Sequence, residues 1–244
     1  MDLNIRDYIH AKYASSARLW ETTIFDFIKI EGNNKILDVG CGNADYWKRN
    51  YVSLPTGVQL TLLDKYDTVS KELIEKPNVN FVCSDLHNMN YTKEFDIVLA
   101  KDVLYLLEDF NTCMYTITKA LNTKGVFYGT CYSIKHMEEV YRILNNIGVT
   151  SGHHHQYRLF NFENLKDNLE KYFSSINVCP QEDTLKIKSI NDAMLFIMSY
   201  LSEDYQTPFV RQNLWDYLRE LFHQQGELIV NRKMYIFAAK DCVL

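Results

Sequence analysis

Several absences narrow this chain before any motif is read. No apolar run approaches the length of a membrane-spanning helix, so no membrane partner is expected. The opening residues, Met1-Asp2-Leu3-Asn4-Ile5-Arg6-Asp7, carry no basic stretch followed by an apolar one, so no signal peptide is expected either. Positive charge is in deficit: 26 Lys and Arg face 31 Asp and Glu, giving a net charge of −5. That excludes a broad basic face for a long polyanion and makes nucleic acid an unfavoured partner, although a local basic patch remains open. No C-x-x-C pair occurs among Cys41, Cys83, Cys113, Cys131, Cys179 and Cys242. Most of them lie in or beside apolar runs, and buried free thiols in a reducing cytoplasm are the expectation. His153-His154-His155 has no cysteine or carboxylate at ligand spacing, and adjacent histidines diverge on any helix or strand. No metal site is expected there. Internal repeats and low-complexity linkers are also missing.

What is present suits one sizeable core: 244 residues, 47% of them hydrophobic. The organising stretch is Lys35 to Trp47. Ile36 to Val39 is apolar enough for a buried strand, and Gly40-Cys41-Gly42 then supplies a tight turn with bare backbone. Asn43, Asp45, Tyr46 and Trp47 begin a crossover helix over 44–53. Strand, glycine turn and helix in that order make the ligand-binding corner of an open α/β sheet. A dinucleotide fingerprint needs a third glycine where Asp45 stands, and a carboxylate there repels a pyrophosphate. A nicotinamide oxidoreductase is accordingly disfavoured.

Asp38-x-Gly40-x-Gly42-x-Ala44 resembles motif I of the class I S-adenosylmethionine-dependent methyltransferases, with Ala44 in the place of the usual third glycine. The resemblance extends to the small-molecule, type 11 or UbiE-like branch. It implies a Rossmann-like α/β fold, with a seven-stranded, mostly parallel sheet of order 3-2-1-4-5-7-6 whose last strand is antiparallel. Helices cover both faces. It also implies S-adenosyl-L-methionine as cofactor, S-adenosyl-L-homocysteine as product, and a turn, with Asp38, Gly40 and Gly42, facing the amino-acid end of the cofactor.

The remaining segments follow that pattern. Val58 to Asp64 reads as the second strand, ending in an acid whose two oxygens suit the two hydroxyls of an adenosine ribose; a helix cap is its plainer role. Lys65 and Tyr66 border the same loop. Val79–Cys83 is the third strand, and Ser84-Asp85-Leu86 resembles the family's third motif. The resemblance gives the adenine amino group to Asp85 and a backbone amide to Leu86; a helix cap competes for Asp85. Phe95–Ala100 is the fourth strand, and Lys101 directly after it is counted with the cofactor-binding residues. Tyr105-Leu106 stands where the family commonly has a histidine pair. Neither Asn-Pro-Pro-Tyr nor Pro-Cys occurs, which removes the aminopurine, glutamine and cytosine C5 chemistries.

A helix over 110–121, a strand over 125–132 and a helix over 137–147 come next, and later a strand over 173–178 and a final strand over 233–240. The expected organisation is an N-terminal helical lid, 1–30, a core of 31–180 and 230–244, and an inserted helical cap, 181–229. The cap is read from an apolar helix at 192–201 and another with Pro208 as its first residue. In the family an aromatic of the N-terminal segment lines the cofactor, and Tyr13 and Arg18 are the candidates. General-base candidates are His153, His154, His155, Tyr105 and Asp102, with His155 and Tyr105 put forward for the reaction itself. The expected partner is a small-molecule methyl acceptor, with the protein a monomer or homodimer. A tRNA-modifying enzyme and a non-catalytic S-adenosylmethionine-binding module are the alternatives.

Overall fold

The computed structural model describes residues 3–16, 20–149 and 160–243. In chain order the main elements are α1 (Leu3–Tyr13), α2 (Trp20–Phe27), β1 (Lys35–Val39), α3 (Asp45–Asn50), β2 (Gln59–Asp64), α4 (Lys71–Ile74), β3 (Val79–Cys83) and β4 (Phe95–Ala100). They continue with α5 (Phe110–Ala120), β5 (Leu121–Tyr132), α6 (Glu138–Asn146), α7 (Leu165–Leu169), β6 (Phe173–Ile187), α8 (Ile190–Met198), α9 (Pro208–Gln225) and β7 (Leu228–Cys242). The strands form one seven-stranded mixed sheet of order β3-β2-β1-β4-β5-β7-β6. The pairs β1–β2, β1–β4, β2–β3 and β4–β5 are parallel. No helix among the described residues is long and apolar enough to cross a membrane.

Two compact units emerge. The sheet unit comprises Trp20–Cys131, Leu159–Pro180 and Tyr235–Leu244, and the helical unit comprises Met1–Leu19, Tyr132–Arg158 and Gln181–Met234. In the sheet unit, side chains alternate between two cores with the period of a strand. Leu37, Leu63, Val98, Phe127 and Phe237 join α5 and α7 on one face. Ile36, Leu62, Ile97, Tyr128 and Ile236 join α2 and α3 on the other. Asp109 caps α5, its Oδ1 accepting from Thr112 N at 3.0 Å. Burying both faces is what turns β1 and β4 into nearly continuous apolar runs.

The helical unit has a core of its own. Ile9 of α1, Val140 and Leu144 of α6, Phe196 of α8 and Leu214 and Leu218 of α9 pack with Leu185 and Val230. Thr207 caps α9 with Pro208 in its first turn, and Gly226, at φ 75°, ends it.

Three strand boundaries differ from the sequence reading by more than two residues. β5 starts at Leu121, because Leu121 already pairs with Phe95 before the register shifts and resumes at Val126. β6 runs on to Ile187, since Leu185 and Ile187 are buried while Lys186 between them is exposed, a two-residue alternation too short to be recognised by itself. β7 begins at Leu228 for the same reason, with Leu228 and Val230 buried around exposed Ile229. Pro180 is accommodated inside β6 because β6 is an edge strand. The thiols also differ from expectation: none of the six is in a disulfide, but only Cys113 and Cys131 are buried, whereas Cys83 and Cys242, each the last residue of its strand, are exposed.

Candidate active site

The corner begins where β1 ends. Gly40 N and Cys41 N both donate to Leu63 O, at 2.8 and 3.1 Å, which ties the turn to the end of β2. Gly40 has φ 71°, and a Cβ on it would lie 2.5 Å from Val103 Cγ2, so the segment leaving β4 packs directly on the turn. Gly42 has φ 58°, and a Cβ there would meet nothing within 4 Å, leaving its face open. Ala44 also adopts left-handed backbone, φ 58° and ψ 25°, which explains why a third glycine suits this position.

Asp64 reaches back to that turn. Its Oδ2 accepts from Gly42 N at 2.8 Å and its Oδ1 from Tyr66 N at 2.9 Å. Thr68 Oγ1 closes the loop by donating to Gly42 O at 3.0 Å. Asp64 is 9% exposed, and its carboxylate keeps spare lone pairs on both oxygens. Lys65 stands beside it in the exposed loop, its Nζ 5.1 Å from the Tyr66 ring centroid.

Asp38, on β1, is 2% exposed. Its Oδ2 accepts from Trp47 Nε1 at 2.7 Å, and its Oδ1 is buried without a partner. Burial pushes its pKa up to about 7 despite the Trp47 hydrogen bond and the Lys101 ammonium, both of which pull it down. Lys101 Nζ donates to Asp102 Oδ2 at 2.9 Å. Burial opposes the Lys101 charge, but Asp102 outweighs it and holds that pKa above the usual lysine value. Asp102 has φ 57°, a strained backbone for a non-glycine residue. It is held by Thr130, whose Oγ1 accepts from Asp102 N at 2.8 Å and donates to Asp102 Oδ1 at 2.9 Å. Tyr105 follows, half-buried in a short 3-10 turn, Leu104–Leu106.

Past β3, Ser84 N donates to Asp64 O at 2.9 Å. Asp85 is a cap: its Oδ1 accepts from His87 N at 2.9 Å and lies 2.7 Å from His87 Nδ1. Those two His87 contacts hold its carboxyl below the usual range. His87 Nε2 lies 3.6 Å from Cys113 Sγ, but burial pushes that thiol up to about 12, so it orients the ring and is no nucleophile. Leu86 is buried in the core beside them.

The sheet unit therefore gathers Asp38 and Asp64, at the carboxyl ends of β1 and β2, with Gly40, Gly42, Lys65, Ser84, Asp85, Leu86, Lys101 and Tyr105 on the loops that follow β1, β2, β3 and β4. Tyr13 belongs to the helical unit, where its hydroxyl donates to Asp192 Oδ2 at 2.6 Å beside Lys12 Nζ. Arg18, His153, His154 and His155 lie outside the described residues. Sequence reasoning missed three supporting groups: Trp47, Thr68 and Thr130. The indole N–H of a tryptophan just after a buried strand was the readable signal for the first, because a buried N–H demands an acceptor; the two threonines carried none.

The residues present fit an S-adenosylmethionine. An orphaned buried carboxylate oxygen suits its ammonium group, an open glycine face suits close approach, and a carboxylate with lone pairs to spare suits ribose hydroxyls. Among solved structures, the Haemonchus contortus phosphoethanolamine N-methyltransferase 2 in complex with S-adenosyl-L-methionine is similar at TM-score 0.58 and 18% identity, covering 98% of this chain and 56% of that one. The [4+2]-cyclase SpnF is similar at TM-score 0.54 and 14% identity, over 90% of this chain and 80% of that one. These likenesses show the fold. A Dictyostelium discoideum histidine protein methyltransferase 1 homolog is 26% identical over 175 residues, 60% of this chain and 55% of that protein. The chain spans 33–55% of the length of the curated relatives it matches. Residues 30–226 match the family described as a methyltransferase domain. With the match covering most of the chain and the sheet order agreeing, this protein belongs to the methyltransferase domain family and has the class I, S-adenosylmethionine-dependent fold.

Proposed function

We propose that the protein transfers a methyl group from S-adenosylmethionine to an O, N or C atom of a small molecule. One observation carries the reading: the Gly42 amide and the Asp64 carboxylate are joined at 2.8 Å, so turn and acid form a single rigid corner. When bound, the cofactor supplies a methyl group already activated on a sulfonium. The protein's work is to hold and to align. Asp38 Oδ1 takes the ammonium, Gly40 and Gly42 offer bare backbone, and Asp64 takes the ribose hydroxyls through its remaining lone pairs. Asp85 and Leu86 receive the adenine edge, with Lys65 and Ser84 bordering the nucleoside.

The acceptor belongs at the carboxyl ends of β1 and β4, the switch point of the sheet. Lys101, Asp102 and Tyr105 follow β4 there. Alignment of the acceptor with the methyl group is worth roughly 7–11 kcal/mol in favourable intramolecular models. A base is needed only for an acceptor that carries its proton. Asp102 and Tyr105 are the described candidates, and His155 is a further one outside the described residues.

A second reading is a protein side chain as acceptor, which the name of the Dictyostelium relative favours. The cyclase neighbour shows that this fold also serves other chemistry, so activity must be measured directly. Titration calorimetry with S-adenosylhomocysteine is expected to show binding that Asp64→Ala abolishes. Labelled methyl should then appear in a metabolite pool; label in protein instead selects the second reading, and none in either pool overturns transfer.

A further inference from the structure

Trp47 and Asp38 are both almost completely buried, 0% and 2% exposed, and nine residues apart in the sequence. The indole is wedged into the core face that contains Ile36, Leu60, Leu62 and Leu99, and it meets Tyr46 edge-on at 4.9 Å and 77°. It is a donor with no freedom to turn elsewhere, and its N–H goes to Asp38 Oδ2 at 2.7 Å. If satisfying Trp47 were the whole purpose of Asp38, an asparagine would do so without burying a charge. A purely structural pair also leaves Oδ1 unexplained, buried and without a partner. A terminal carboxylate torsion is soft, so a lone Asp38 would interchange its oxygens. A fixed indole on Oδ2 prevents that.

We propose that Trp47 is a positioning residue: by holding Oδ2 it keeps Oδ1 as the acceptor for the ammonium group of the cofactor's amino-acid tail. This rests on the reading that S-adenosylmethionine binds at this corner. Lys101 and Asp102 after β4 and Asp64 at the end of β2 act on Asp38 through their charges, Trp47 of α3 acts through its hydrogen bond, and the Cys41 thiol and Tyr46 phenol, whose own pKa values Asp38 helps to raise, stay neutral. Of these, Trp47 and Lys101 lower the pKa of Asp38, and Asp64 and Asp102 raise it. Removing the indole therefore moves the Asp38 titration to higher pH and leaves less carboxylate at neutrality.

The test compares two ligands that share adenosine and a thioether but differ in the tail. S-adenosylhomocysteine has the amino-acid group, and methylthioadenosine does not. Trp47→Phe in the full chain is expected to weaken S-adenosylhomocysteine about tenfold, the scale of one hydrogen bond to a charged group, and methylthioadenosine less than about twofold. The acidic fall in S-adenosylhomocysteine affinity should also move to higher pH. Asp38→Asn, which keeps an oxygen for the indole, should give the same selective loss and covers the case in which Trp47→Phe does not fold. In the wild-type free protein, the Trp47 indole proton signal should titrate with Asp38 near pH 7. Equal loss for both ligands, no loss for either, or an indole signal that does not follow Asp38 overturns the role of Trp47. Failure of wild-type protein to bind either ligand overturns the cofactor reading itself.

Discussion

At the scale of single residues, the informative ones are those that an ordinary core would reject. Asp38 is an acid buried on a central strand, and its pKa of about 7 in the folded state lies above its ordinary value of 3.8. The unfolded chain therefore releases the proton first, so the stability linked to Asp38 is complete below about pH 4 and is lost as pH rises toward about 7. Asp38→Asn is expected to melt above wild type at pH 8 and level with it at pH 4, by up to about 4 kcal/mol at roughly 1.4 kcal/mol per unit. Thermal melts across that range check it. His10 has the opposite sign. Burial, then the charges of Arg232 and Arg6, lower its pKa from 6.5 to about 4. Stability linked to His10 is present above pH 6.5 and lost as pH falls toward about 4. His10→Phe should flatten that acid limb in the same melts. Gly40 supplies a third residue-scale test. Gly40→Ala meets both a left-handed backbone and Val103, and should cost roughly 1–3 kcal/mol. Adding Val103→Ala should recover only the steric part, so a double-mutant cycle in urea should show a favourable coupling.

Among elements, the long strands β6 and β7 are joined in the helical unit by a side-chain pair that sequence spacing does not announce. Arg232 NH2 donates to Asp183 Oδ2, with side chains 9% and 6% exposed. Burial works against the Asp183 carboxylate, but Ser15 and Arg232 overcome it and hold its pKa below the usual range. Asp183→Ala strands a buried guanidinium and is expected to cost about 3–5 kcal/mol, whereas Asp183→Leu with Arg232→Met should cost much less. Equilibrium denaturation distinguishes the two outcomes. The caps were easier to anticipate: Pro208 opens α9 as its position implied, because a proline lacks the donor that a first helical turn does not use. Asp85 took the capping role that competed with its proposed part in adenine recognition, and one carboxylate oxygen does not exclude the other from a second job.

Across the whole molecule, charge and sheet order constrain function together. A net charge of −5 leaves no general attraction for a polyanion, so any RNA binding should be weak and should vanish steeply with added salt. If the cofactor binds the folded state alone, S-adenosylhomocysteine at 100 times its dissociation constant should add about 2.7 kcal/mol of stability, visible as a concentration-dependent melting shift.

The order β3-β2-β1-β4-β5-β7-β6 was anticipated through the resemblance carried by Asp38, Gly40, Gly42, Asp64 and Asp85. Most strands and helices were legible in the bare residues, because burial on both faces makes continuous apolar runs of Ile36–Val39 and Ile97–Ala100 and a period near 3.6 marks Cys113–Ala120. The continuation of β6 to Ile187 was not, since two buried residues are too few to establish a period against neighbouring polar ones.

The sequence by itself determined which segments are apolar, where the chain turns and which acids stand at strand ends, for those are local consequences of side-chain chemistry and backbone freedom. Only the tertiary structure decided that Trp47 answers Asp38, that Val103 closes on Gly40, and that Arg232 pairs with Asp183. Each of those choices joins residues separated by at least one further element or turn, and such pairing is settled by packing in three dimensions, where no spacing rule along the chain reaches.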